Sequence, residues 1–188
     1  MIFRGLSFSA AAGSALSLEG PNGAGKTSLL RLIAGFLRPY AGSIRLRTDG
    51  EDVADTEERG KFIGWLGHHD GVKPQLLVRE QLTFWAGLYE STLDVETAMA
   101  AFGLMPLADL PGQYLSAGQK RRLALARLKL SGRALWLLDE PLAALDTAGK
   151  GLVADAVNAH CAEGGIVLAA THEPLGLNCG KLMMEGRS

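Results

Sequence analysis

An α/β fold with a mostly parallel sheet core is what three features of this chain predict. Apolar runs of strand length alternate with segments of helical periodicity, a glycine-rich loop stands between the first run and the first helix, and a long block of purely helical spacing interrupts the alternation. At 188 residues the chain falls in the usual range of one domain and can bury a core without disulfides or metals. We read residues 1–188 as one domain, with residues 78–130 as a helical subdomain inserted in it.

Residues 15–19 (Ala-Leu-Ser-Leu-Glu) read as a short strand, and residues 26–36 carry leucines and an isoleucine at helical spacing that stops before Pro39. Residues 42–47 alternate, Ile44 and Leu46 against Arg45 and Arg47, as a half-buried strand does; residues 48–61 are acidic and loop-like. Residues 62–66 look like a more buried strand. Helical spacing then takes over, as in Leu82, Trp85, Ala86, Leu88 and Tyr89, and again in Leu123, Ala126 and Leu130. The runs 134–138 and 166–170, with a helix predicted over 147–163 between them, return the pattern to strand, helix, strand. There is no internal repeat and no low-complexity linker.

The charge balance, 19 basic against 20 acidic residues for a formal net charge of -1, argues against a general nucleic-acid binder. Cys161 and Cys179 lie in unrelated contexts with no C-x-x-C spacing, which reads as two reduced cytosolic thiols. No apolar run approaches the ~18 residues of a membrane span, so membrane association is expected to come through a partner.

Gly20, Pro21, Asn22, Gly23, Ala24, Gly25, Lys26 and Thr27 fit the pattern G-x-x-x-x-G-K-[ST], with Ser28 following in the first helical turn. A loop of this kind turns its backbone N–H groups inward around phosphate oxygens, and the positive end of the next helix adds to the attraction. Lys26 can set a charge near the β- and γ-oxygens, and Thr27 a hydroxyl on Mg²⁺. The chain is therefore expected to bind a nucleoside triphosphate.

Residues 135–138 end in Asp139 and Glu140, so two carboxylates emerge at the carboxyl end of a buried strand, the edge where such sheets bind ligands. Asp139 is placed to hold Mg²⁺ through water, and Glu140 to orient or deprotonate an attacking water. Leu115, Ser116, Ala117, Gly118 and Gln119 lead into a helix with Ser116 as its natural N-cap. They read either as a capped helix or as a second phosphate grip. The cluster Lys120, Arg121 and Arg122 reads as a solvated or partner-facing stripe. His172 ends the other apolar run at the same sheet edge, where an imidazole could hydrogen-bond the γ-phosphate or the water.

With these pieces in this order, the chain resembles the ATP-binding-cassette (ABC) ATPases over nearly its whole length. Their Walker A loop is similar to residues 20–27, their signature to residues 115–119, their Walker B strand to residues 134–139 and their catalytic glutamate to Glu140. Their D-loop resembles residues 144–146, which puts Asp146 at the nucleotide, and their switch histidine resembles His172. The resemblance implies a P-loop NTPase fold of the ABC ATPase type with a small antiparallel β region. It also implies a head-to-tail homodimer in which the Walker A of one subunit and the signature of the other enclose each ATP. Residues 18–31, 66–68, 115–122 and 170–172 are most similar to the ATPases that energise haem export in cytochrome c biogenesis. That likeness implies a small membrane permease and haem-handling subunits as partners, on the cytoplasmic face of the bacterial inner membrane. ATPases of other small exporters, for lipid or drug, and nucleotide-binding regulatory modules share the same motifs.

Two departures from the family pattern stand out. His68 occupies the place of the Q-loop glutamine, with His69 beside it, and imidazole is a poorer Mg²⁺ partner than an amide oxygen. Family members also begin with a further strand and an aromatic residue that stacks on adenine, and residues 2–8 match what normally follows them. The expectation is that the sequence starts late, at an internal methionine, so that the N-terminal strand is missing.

Overall fold

In the computed structural model, which describes residues 3–48, 50–53, 56–175 and 179–185, the strands are β1 (Ala15–Glu19), β2 (Arg47–Thr48), β3 (Glu51–Asp52), β4 (Ile63–Leu66), β5 (Leu135–Asp139), β6 (Ile166–Ala170) and β7 (Cys179–Met183). The α-helices are α1 (Lys26–Ile33), α2 (Thr56–Gly60), α3 (Val78–Tyr89), α4 (Val95–Ala101), α5 (Ala117–Leu130) and α6 (Thr147–Ala162). Five strands form one sheet in the order β4-β5-β6-β1-β7, and every pairing in it is parallel. All five residues of β5 are buried, as a central strand covered on both faces must be. β2 and β3 make a separate antiparallel pair.

Two apolar clusters flank the sheet. One joins α1 to its face through Leu18, Leu30, Leu137 and Leu168; the other gathers α3, α4, α5 and α6 around Leu82, Met99, Phe102, Leu125 and Leu138. The helical block at 78–130 is thus packed through α5, which touches α3, α4, α6 and β4. Its start is fixed by Ser116, whose Oγ accepts from the Gln119 N–H (3.2 Å) while the Gln119 side chain accepts from the Ser116 N–H (2.8 Å).

The structure differs from the sequence-based reading in four places. The first helix ends at Ile33, short of residue 36, because Gly35 takes φ +80° and the N–H groups of Gly35 and Phe36 fold back to Leu32 O and Arg31 O. Of the strand expected at 42–47, Arg47 pairs with Asp52 and Leu46 O accepts from the Val53 N–H (2.8 Å), while residues 43–46 form no strand, since alternation does not by itself supply a partner. The loop expected at 48–61 contains β3 and the short α2. β7 was not expected; it pairs with β1 along its whole length. Residues 1 and 2 of the expected late start lie outside the described residues.

Candidate active site

β1 delivers the glycine-rich loop at its carboxyl end and α1 carries it away. Gly20, at φ +146°, has a backbone that other residues rarely adopt, and a Cβ there would meet Met184 O at 2.2 Å. Gly25 caps α1 in the left-handed region. Lys26 is buried, and its Nζ donates to Gly20 O (2.7 Å) and Pro21 O (3.3 Å), so the ammonium lies within the curl of the loop. Thr27 Oγ1 donates to Asp139 Oδ1 at 2.9 Å, joining the loop to the end of β5.

Asp139 is nearly fully buried, whereas the Glu140 and His172 side chains are 37% and 53% exposed and face the cleft. Glu140 leaves the strand in a left-handed conformation, φ +49°, held where its N–H donates to Ala170 O (2.8 Å). His172 Nε2 stands 3.5 Å from Glu140 Oε1, longer than a direct hydrogen bond and short enough for both to address one water. The open cleft, about 880 Å³, is lined by the loop from Asn22 to Ser28 and by His68, Asp139, Glu140 and His172. An oxygen pair of one hydroxyl and one carboxylate beside a phosphate loop suits Mg²⁺, which takes few protein ligands and completes its shell with phosphate and water. Among the described residues no group of three or more His, Cys, Asp or Glu could hold a metal by itself.

The remaining sequence candidates lie elsewhere. Leu115, Ser116, Ala117, Gly118 and Gln119 are absent from the lining of the cleft, as is Asp146, whose Oδ1 caps α6 by accepting from the Gly149 N–H at 2.7 Å. Gly118 and the stretch before Asp146 do meet: a Cβ on Gly118 would lie 2.6 Å from Ala144 O. Gly20 and Pro21 contribute their carbonyls to Lys26 and do not line the cleft.

Sequence reasoning missed several residues. Phe36, Trp65 and Arg31 form one wall of the cleft, the two rings meeting edge to face at 5.3 Å. The basic stripe is also corrected. Arg121 is 4% exposed and makes hydrogen bonds to Gly67 O, Asp70, Asp139 O and Glu140 O, while Arg122 donates to Phe102 O and Gly103 O. No pattern in the sequence separates these arginines from Lys120, because α5 is packed on several sides and shows no single apolar stripe.

A phosphate loop joined through Thr27 to a carboxylate at the end of β5, with a glutamate and a histidine across the cleft, defines a P-loop nucleoside triphosphatase. Residues 3–143 match the ABC transporter family. The chain is 50% identical to the cytochrome c biogenesis ATP-binding export protein CcmA of Rhodopseudomonas palustris, covering 94% of this chain and 86% of that protein. It is 46% identical to the CcmA protein of Rhizobium johnstonii, covering 99% and 88%. Among solved structures, a putative ABC transporter ATP-binding protein from Pyrococcus furiosus superposes with a TM-score of 0.77 at 25% identity, covering 93% of this chain and 86% of that one. The chain belongs to the ABC transporter family of ATP-binding subunits, in its CcmA branch, and is an ATPase. No helix among the described residues is long and apolar enough to cross a membrane.

Proposed function

We propose that this chain is the ATP-hydrolysing subunit of the exporter that serves cytochrome c biogenesis, using ATP to export haem or to release a haem-loaded chaperone. The observation that carries the chemistry is the convergence of Lys26, the Thr27–Asp139 pair, Glu140 and His172 on one cleft. The cargo rests on the likeness to the CcmA proteins. In this reading residues 20–28 bind the triphosphate, and Lys26 exchanges its two carbonyl partners for phosphate oxygens. Thr27 and Asp139 hold Mg²⁺, which when bound neutralises charge on the phosphate oxygens. Glu140 orients and deprotonates water, His172 senses the γ-phosphate, and His68 faces the same cleft from the loop after β4.

The signature residues 115–119 and Asp146 complete the site of a second copy in a head-to-tail ATP-bound homodimer. That arrangement fits their absence from the cleft of their own chain. Residues 1–188 act as one nucleotide-binding domain whose helical part, residues 78–130, moves with the permease. The partners are a CcmB-like permease and haem-handling subunits, with the chain peripheral to the cytoplasmic face of the inner membrane.

The test is deletion of the gene in its host, followed by staining membranes for covalent haem in c-type cytochromes. Complementation by wild type and not by Glu140→Gln is the expected result. Unchanged haem staining in the deletion strain would leave an ATPase of a different exporter.

A further inference from the structure

Arg121 is a buried cation that the proposed chemistry leaves without a task, although it bridges three segments around the site. Its Nη1 donates to Gly67 O (2.8 Å) and to Asp70 Oδ1 (2.9 Å), and its Nη2 to Asp139 O and to Glu140 O (2.6 Å). One planar group therefore joins the loop that carries His68, the end of β5, and the helix that Ser116 opens. Only Nε is left without a hydrogen-bond partner among the described buried side-chain atoms.

The carbonyls that Nη2 holds lie where the sheet stops supporting the chain. β4 ends opposite β5 at the pair Leu66↔Leu138, so among the described residues no strand lies on that side of Asp139 and Glu140. On the other side β6 still pairs Ala170 with Asp139, and Ala170 O still accepts the Glu140 N–H. Glu140 has to hold φ +49°, a conformation that its Cβ disfavours and that persists only when the surroundings over-determine it. Ala170 fixes its N–H from one side and Arg121 its carbonyl from the other. The direction in which the Glu140 carboxylate leaves the chain depends on both.

We propose that Arg121 is a positioning residue for hydrolysis, linking the aim of Glu140 and the placing of the His68 loop to the position of the helix that carries residues 115–119. A shift of α5 displaces the guanidinium, and with it the Glu140 backbone and the Gly67–Asp70 turn together. The planar fork makes this possible, because an ammonium could not reach acceptors on both segments in fixed geometry. The inference rests on the assignment of Glu140 as the residue that activates water.

The experiment compares the purified full chain with Arg121→Gln, Arg121→Lys, Asp70→Asn and Glu140→Gln. Steady-state MgATP turnover, affinity for a fluorescent ATP analogue, and thermal melting are measured for each. Arg121→Gln is expected to lower kcat by about 20-fold while nucleotide affinity stays within about twofold, a split that general loosening of the domain would not produce. Arg121→Lys, which keeps the charge, should recover part of that loss. Asp70→Asn leaves the carbonyl contacts intact and should cost only about threefold. Wild-type kcat in Arg121→Gln, beside an inactive Glu140→Gln, overturns the link and leaves the Glu140 assignment standing. Wild-type turnover in Glu140→Gln instead removes that assignment. Should Arg121→Gln fail to melt cooperatively, Arg121→Lys decides: reduced kcat at unchanged affinity supports the proposal, and parallel loss of kcat, affinity and melting temperature overturns it.

Discussion

Replacing Gly118 by alanine sets two effects of opposite sign against each other. Gly118 lies in the first turn of α5, where helix propensity alone favours alanine by about 0.8–1 kcal/mol. The structure places the new Cβ 2.6 Å from Ala144 O, well inside normal contact, and the obstacle is backbone rather than a side chain that can turn away. Ala144 is itself left-handed, at φ +61°, so its loop has little freedom to retreat. Overpacking against a fixed neighbour costs about 1–3 kcal/mol, which leaves a net destabilisation of about 1 kcal/mol after the helical gain. For a domain of this size that corresponds to a fall in melting temperature of roughly 2–4 °C. Because the displaced loop leads directly to Asp146, ATP-dependent dimerisation of a Glu140→Gln background should also weaken, by about tenfold in the concentration needed. Differential scanning calorimetry and size-exclusion chromatography with MgATP read the two effects. A Gly118→Ala protein that melts above the wild type would mean that propensity wins and that the contact with Ala144 does not bind the two segments together.

Lys26→Ala, which removes the buried ammonium from the loop, should weaken binding of an ATP analogue by about tenfold or more, measured by fluorescence titration; unchanged affinity would contradict the placement of the phosphates. Glu140→Gln should abolish steady-state turnover while leaving ATP-bound dimers that persist on size exclusion, and turnover equal to wild type would remove its role. Phe102→Ala empties a fully buried site against α5 and should cost about 3–5 kcal/mol in urea unfolding; a loss under about 1 kcal/mol would mean the helical block is not packed as described. His160 stacks on Trp136 with ring centroids 4.0 Å apart, and burial is the main cause holding its pKa below the ordinary 6.5. The unfolded chain therefore binds this proton more readily, so stability is present above about pH 6.5 and is lost as pH falls from there through the folded value. Melting temperatures between about pH 7 and pH 5.5 should drop more for the wild type than for His160→Phe; equal slopes would refute the assignment.

Much of the site was legible in the sequence because its chemistry depends on short segments. Residues 20–27 need only their own glycines and lysine to form the loop, and the buried run before Asp139 and Glu140 declares its strand locally. What was hidden depends on neighbours far along the chain. β7 mixes exposed and half-buried residues without alternation, and it is a strand only because β1 pairs with it. The alternating residues before Arg47 gain, among the described residues, a single backbone bond, from the Val53 N–H to Leu46 O (2.8 Å), and stay irregular. Arg121 looks like its half-buried neighbour Lys120 until Gly67, Asp70, Asp139 and Glu140 are brought around it. The separation of Ser116 from the cleft of its own chain is the one feature that the family resemblance, and not the residues themselves, led us to expect, since motif order says nothing of which copy a motif serves.

That separation has a consequence for rates. If residues 115–119 serve the other copy, a lone chain in dilute solution holds ATP without completing the surroundings of its γ-phosphate. Turnover per molecule then grows with protein concentration, in the manner of a second-order reaction. Fixing two copies side by side on one permease replaces that bulk concentration by a local one that reaches the millimolar range when the tether is short. The membrane subunits would thereby switch the ATPase on by proximity alone, before any change in its shape.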